Sequence, residues 1–258
     1  MENRGGKGAE AMIYPYERLD DLQTGGLKLI QNPSWFCFGV DAVLLSDFAS
    51  KGIKKDARVL DLCSGSGIIP ILLTRKSQAS FITGLEIQSE VADMAKRSVE
   101  LNSLSDKVEM LCGDLKDGAK LFGKSSFDNI SCNPPYKENL GGLKNKEDNM
   151  TISRHEVLCS LEDIISVSAD ILKPYGKLSM IHRPERLADI LCLMRKYKIE
   201  PKRLRFVHPS PSKTATMILI EGAKCGKPKL FLDPPLYVHD ENGNYTDEIN
   251  EIYGRDKE

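Results

Sequence analysis

The chain has 258 residues, 41% of them hydrophobic and 28% charged, which suits a globular protein with one substantial core. Its 36 Lys and Arg against 37 Asp and Glu leave a net charge of −1, excluding a polycation that coats nucleic acid by bulk charge but not a local basic patch. No apolar run approaches a membrane-spanning length, the start lacks the apolar core of a signal peptide, and 7 scattered cysteines form no zinc pattern. A cytoplasmic protein with buried free thiols, no membrane segment and no bound metal is expected.

Residues 1–10 are polar and glycine-rich and read as a frayed end. Regular punctuation starts with a buried strand over 57–62, a glycine turn over 64–67, and a helix over 68–76 that tolerates Pro70 in its first turn. A strand over 80–85 follows, then a helix capped by Ser89 and running to about 102, and strands over 107–111 and 127–131. A helix over 161–172 puts Leu161, Ile164, Ile165, Ser168 and Leu172 near one face, and Pro174 and Gly176 end it. A strand over 176–182, a helix over 185–196 and strands over 204–208 and 216–221 complete the pattern. Alternating strands and helices predict a doubly wound α/β fold on a mostly parallel sheet. The expected organisation is an N-terminal extension (1–56) packing on the ligand site, a main domain (57–222) and a C-terminal extension (223–258).

The turn Asp61-Leu62-Cys63-Ser64-Gly65-Ser66-Gly67 lets a ligand approach the backbone closely. It is not a dinucleotide fingerprint, because Pro70 stands where a third small residue would be, and it lacks the Gly-Lys-Ser/Thr of a phosphate loop. An adenosine-bearing ligand without pyrophosphate fits what remains. Glu86 ends the next strand, where a carboxylate can accept both ribose hydroxyl hydrogens, and Asp114 follows the third strand within reach of an adenine amino group. The carboxyl ends of successive strands are where open α/β sheets bind ligands.

Directly after the fourth strand stands Asn133-Pro134-Pro135-Tyr136. A later Asp233-Pro234-Pro235-Leu236 reads as a rigid turn. The glycine turn and the Asn-Pro-Pro-Tyr run together resemble class I S-adenosylmethionine-dependent methyltransferases that act on planar nitrogens. Phe38-Gly39-x-Asp41-Ala42-Val43-Leu44-Leu45, Arg154-His155-Glu156, Val207-His208-Pro209 and Pro235-Leu236 extend the resemblance to the bacterial valine tRNA adenine N6-methyltransferase family, from about residue 14 onward.

The resemblance implies S-adenosylmethionine as cofactor, tRNA as partner, and the adenine just 3′ of the anticodon as target. It assigns the cofactor to Phe38, Gly39, Asp41, Asp61, Cys63, Gly65, Gly67, Glu86, Ile87, Asp114, Leu115 and Asn133, with Phe38, Gly39 and Asp41 beside its methionine end. Cys63 stands where such families commonly have glycine, so it must take a negative φ or bear strain. The Asn133 side-chain oxygen and the Pro134 carbonyl are expected to accept the two hydrogens of the target amino group, while Tyr136 stacks on the extruded base. Positioning is the main catalytic lever in such a reaction, and no general base is evident.

For RNA contacts, Arg195, Lys196, Lys198, Lys202, Arg203, Arg205 and Lys213 face only one acid, Glu200, in that stretch. Residues 137–154, with Lys137, Lys144, Lys146 and Arg154, form a second candidate loop. The substrate set is thus Pro135, Tyr136, Lys137, Arg154, Lys202, Arg203, Arg205 and Lys213. His155 is read as a capping or packing residue, and Trp35 and Phe36 as covering the sheet. The competing readings are a protein glutamine N5-methyltransferase, a guanine N2 rRNA methyltransferase and a silent RNA-binding platform. The first normally carries a helical substrate domain, for which the 56 residues before Ala57 leave little room.

Overall fold

The structure, a computed structural model, describes residues 12–35, 37–135 and 159–255. Phe36, Tyr136, Lys137, Lys144, Lys146, Arg154 and His155 lie outside these ranges.

The described chain opens with a hairpin of β1 (Arg18–Asp21) and β2 (Lys28–Gln31), followed by helix α1 (Val40–Ser50). In β3 (Arg58–Leu62), every residue after Arg58 is buried, a continuous run suited to a strand covered on both faces. Val59 joins the core on one face, and Leu60 and Leu62 join the core on the other, as the two-residue period requires. Then come α2 (Ile68–Lys76), β4 (Phe81–Glu86), α3 (Ser89–Leu101), β5 (Val108–Cys112), α4 (Gly118–Phe122) and β6 (Phe127–Cys132). After residue 159 follow α5 (Leu161–Ile171), β7 (Leu172–His182), α6 (Leu187–Lys196), β8 (Ile199–His208), β9 (Met217–Lys224), β10 (Phe231–Leu232), β11 (Leu236–Tyr237) and α7 (Asp247–Tyr253).

Among the described residues the main sheet runs β10-β8-β9-β7-β6-β3-β4-β5, with β11 also on β8. From β7 to β5 the strands are parallel. Strand β9 is antiparallel to both β7 and β8. The chain leaves β3 toward β4 and β5, then returns to β6 on the other side of β3. That reversal opens a crevice between the carboxyl ends of β3 and β6. Residues from α1, α2, α3 and α7 fill the core on one face, and residues from α5 and α6 fill it on the other.

Three expectations are corrected. Ser89 is the first helical residue of α3, not its cap: its hydroxyl donates to Glu90, and Gln88 holds the N-cap position. Pro174 and Gly176 do not end a helix, because α5 passes directly into β7 at Leu172. They lie within β7, where pairing with β6 shifts register, and a bulge tolerates proline inside a sheet. The thiols are less buried than expected: only Cys132 is fully buried, while Cys112, Cys192 and Cys225 are exposed. The segments before 57 and after 222 also share the main core, through Leu44, Leu45, Phe48, Ile249 and Ile252.

Candidate active site

The turn after β3 is held from both sides. Ser64 donates its amide to Leu85 O on β4 at 3.1 Å, and Gly67 donates to Ser64 O at 3.0 Å, closing the turn. The buried Glu86 carboxylate clamps it, with Oε2 accepting from Gly65 N at 2.9 Å and Oε1 from Gln88 N at 3.0 Å. Oε1 also accepts from Gln88 Nε2 at 3.3 Å, while Oε2 keeps a second lone pair for a ligand hydroxyl. Gly65 has φ +54, and no atom lies within 4 Å of where its Cβ would stand, so the backbone borders open space. Gly67, at φ +80, instead backs onto Ala95 and Met110. Cys63 takes the strained alternative, with φ +56.

Asp61 is fully buried, and its Oδ1 accepts from Ser131 Oγ on β6 at 2.6 Å. Its Oδ2 is buried without a partner among the described residues. Burial pushes the Asp61 carboxyl up to about 7, and the neighbouring Glu86 charge adds to that against the Ser131 hydrogen bond. Cys63 Sγ is 3.9 Å from Cys159 Sγ, and the Cys132 thiol beside it, with burial, holds the Cys63 thiol well above its usual range. Asp114 caps a short 3-10 turn over Leu115–Asp117, with Oδ1 accepting from Lys116 N at 2.9 Å, and Leu115 is buried beneath it.

Strand β6 delivers Asn133 beside this turn, since Cys132 pairs with Leu62. Asn133 Nδ2 donates to Asp41 Oδ2 at 2.9 Å, and Asn133 Oδ1 is buried with no partner among the described residues. Asp41 lies in the first turn of α1 and is itself buried. Phe38 donates its amide to the buried Gln31 side chain at 3.1 Å, which anchors the segment leading into α1. Gly39 is exposed at the helix start, Ile87 follows Glu86 half-buried, and Pro134 is buried while Pro135 is exposed.

The basic stretch is divided by the sheet. Ile199 pairs with Lys224 and Val207 with Met217, while His182 pairs with Ile218. The start of β8 therefore lies at the edge opposite Asn133, and its end lies at the same edge. Arg195, Lys196 and Lys198 fall on the far edge, whereas exposed Lys213, between β8 and β9, falls on the near one. Two of the expected RNA contacts make internal ion pairs. Arg203 pairs with Asp233 at 2.8 Å and lies over the Phe48 ring. Arg205 is buried, donates to both Glu248 oxygens at 2.7 and 2.8 Å, and donates to Pro234 O. Both guanidinium groups tie down the C-terminal segment; Arg205 is buried and Arg203 is half-buried. Lys202 donates to Lys227 O at 3.0 Å from an exposed position.

A family profile described as "Methyltransferase small domain" matches residues 38–195, more than half of the chain. The chain belongs to the methyltransferase small domain family. A tRNA1(Val) (adenine(37)-N6)-methyltransferase of Porphyromonas gingivalis is 28% identical to it, covering 92% of this chain and 91% of that protein. One from Shewanella sp. (strain MR-4) is 24% identical, covering 94% and 96%. Among solved structures, a protein from Agrobacterium tumefaciens described as a predicted O-methyltransferase has a TM-score of 0.67 at 23% identity, covering 84% of this chain and 98% of that one. A geranyl diphosphate methyltransferase in complex with SAM has a TM-score of 0.53 at 11% identity, covering 72% and 84%. At these identities the structural likeness shows the fold alone.

Within this methyltransferase fold, sequence reasoning missed three groups at the site. Gln31 holds Phe38, Ser131 holds Asp61, and Cys159 touches Cys63. Ser131 and Cys159 are separated from their partners by 70 and 96 residues, so no local pattern marks them. The pairing of Asp41 with Asn133 was likewise unforeseen, although both residues stood out singly. Among the described residues no helix is long and apolar enough to cross a membrane.

Proposed function

We propose that this family member transfers a methyl group from S-adenosylmethionine to the exocyclic N6 of adenine in tRNA, at the adenine 3′ of the anticodon (position 37) of valine tRNA. The observation that carries the reading is the buried Asn133 Oδ1, unpartnered among the described residues, an acceptor held at the strand edge beside the open glycine turn. A buried polar atom without a partner costs about 1–3 kcal/mol, so its retention here calls for a ligand that donates to it. The relatives named as tRNA1(Val) adenine N6-methyltransferases, matched across most of both chains, support the substrate.

The residues present fit the cofactor. Gly65 borders open space, Glu86 Oε2 keeps acceptor capacity for a ribose hydroxyl, and Asp61 Oδ2 is a buried carboxyl oxygen lacking a partner among the described residues. Phe38, Gly39, Cys63, Gly67, Ile87, Asp114 and Leu115 complete the assigned cradle. S-adenosylmethionine supplies, when bound, an electrophilic methyl on a sulfonium.

This chain's own part is to make a poor nucleophile competent. Adenine N6 shares its lone pair with the ring. Asn133 Oδ1 and the Pro134 carbonyl each accept one amino hydrogen, which turns the lone pair out of the ring plane. Proline contributes no amide hydrogen to compete with the substrate, and it stiffens the loop. Such positioning supplies roughly 7–11 kcal/mol in well-aligned systems. The nitrogen then loses a proton to water. Of the expected phosphate contacts, Lys213 lies at the Asn133 edge, and Lys202 sits nearer the start of β8. The loop over 209–216, joining β8 to β9, lies two to three strand spacings, roughly 10–14 Å, from Asn133.

The test is nucleoside mass spectrometry after incubation with S-adenosylmethionine and unmodified tRNA. A rise in N6-methyladenosine, mapped to that adenine and lost in Asn133→Ala with cofactor affinity retained, is expected. A rise in N2-methylguanosine instead, or methylation only of protein glutamine, overturns the reading.

A further inference from the structure

Asn133 is held by a single charged group. Its Nδ2 donates to Asp41 Oδ2 at 2.9 Å, across 92 residues of sequence. A carboxylate accepts hydrogen bonds and does not donate them, so only one of the two amide orientations makes this contact. Nδ2 therefore faces Asp41, and Oδ1 faces away from it, buried and without a partner among the described residues. Asp41 is only 8% exposed, so its charge is not spent on solvent.

We propose that Asp41 is a positioning residue for methyl transfer, setting the direction of the Asn133 amide and strengthening its oxygen as an acceptor. The inference rests on the methyltransferase reading above. An amide whose N–H donates to an anion carries more negative charge on its oxygen, because linked hydrogen bonds polarise one another. In methyl transfer the N–C bond forms as the methyl–sulfur bond breaks, leaving a neutral thioether, and that oxygen would face the nitrogen, which becomes cationic before losing its proton to water. The Asp41 charge thus favours the transition state more than the neutral ground state, which is the condition for raising the rate and not merely the affinity. Without Asp41 the amide is free to turn its Nδ2 toward the substrate, where a donor meets a donor.

The assay measures methyl transfer with enzyme in excess over tRNA, beside cofactor affinity by calorimetry and the melting temperature of each variant. Asp41→Asn keeps an oxygen for Asn133 but loses the charge, and its own amide can turn Asn133 over. A fall in the single-turnover rate constant of about 10- to 100-fold is expected, with cofactor affinity and the half-saturating enzyme concentration changing less than about 3-fold. Asp41→Ala is expected to approach the loss seen in Asn133→Ala. In a double-mutant cycle of the single-turnover rate, adding Asp41→Ala to Asn133→Ala is then expected to cost nothing further, since the proposed effect on rate runs through that amide.

Two outcomes overturn the inference: additive losses in the cycle, or a loss of cofactor affinity that matches the loss of rate. The second returns Asp41 to the cofactor-contact role implied by the resemblance. If the parent enzyme makes no N6-methyladenosine, the functional reading itself fails, and that result is distinguishable because it appears without any substitution.

Discussion

At Cys63 the chain leaves β3 with φ +56, a conformation that costs a side-chain-bearing residue about 1–2 kcal/mol and glycine nearly nothing. Comparing Cys63→Gly with Cys63→Ala isolates that cost, since both remove the thiol. The glycine variant is expected to be the more stable by about 1 kcal/mol in denaturant titration, the reverse of the usual order. Two strands' carboxylates meet beside this turn, and the more buried one titrates. Asp61 is pushed up to about 7 in the folded protein, above its unfolded value, so the folded state holds more protons between roughly pH 4 and 7. Its contribution is fully present below pH 4 and is lost as pH rises through 7. Asp61→Asn should therefore match the parent near pH 4 and exceed it above pH 7, by up to about 4 kcal/mol, in ligand-free unfolding measurements. An equal difference at both pH values would show that the charge is not responsible.

Among the elements, α7 packs into the main core. Ile249 is fully buried and Ile252 nearly so, in the core shared with α1 and α2. Its Thr246 hydroxyl caps the helix, accepting from Ile249 N, and Lys76 on α2 donates to Ile252 O. Ile249→Ala is expected to cost about 2–5 kcal/mol, the range for emptying a packed site. A melting temperature within a degree of the parent would mean that the segment docks without supporting the fold. The same logic explains why α1 escaped prediction as a helix. Its buried residues run through Asp41, Ala42, Val43, Leu44, Leu45 and Ser46 without an exposed face, so the helical period is erased. By contrast α2 was legible to the residue, because a glycine turn, a first-turn proline and two terminal basic residues mark both ends.

For the molecule as a whole, sheet direction decides which charges can serve one ligand. Lys198 and Lys213 are 15 positions apart in sequence, yet β8 carries them to opposite edges. Lys213→Glu is expected to weaken tRNA binding and lower its salt dependence by about one unit of slope, while Lys198→Glu leaves both unchanged. Equal effects from the two would place the RNA across the far edge. Arg205→Ala belongs to a different class, since losing its two bonds to Glu248 should lower stability before it touches RNA affinity.

The sequence alone determined the parallel sheet from β3 to β6, the glycine turn, Glu86 and Asn133, because continuous apolar runs and turn residues are local signals. It also carried the family resemblance, which rests on short motifs. Only the tertiary structure decided which charges are spent internally, as with Arg203 and Arg205, and which side chain aims the Asn133 amide. The reason is physical: a hydrogen bond is set by distance and direction in space, and partners separated by 92 residues share no pattern along the chain.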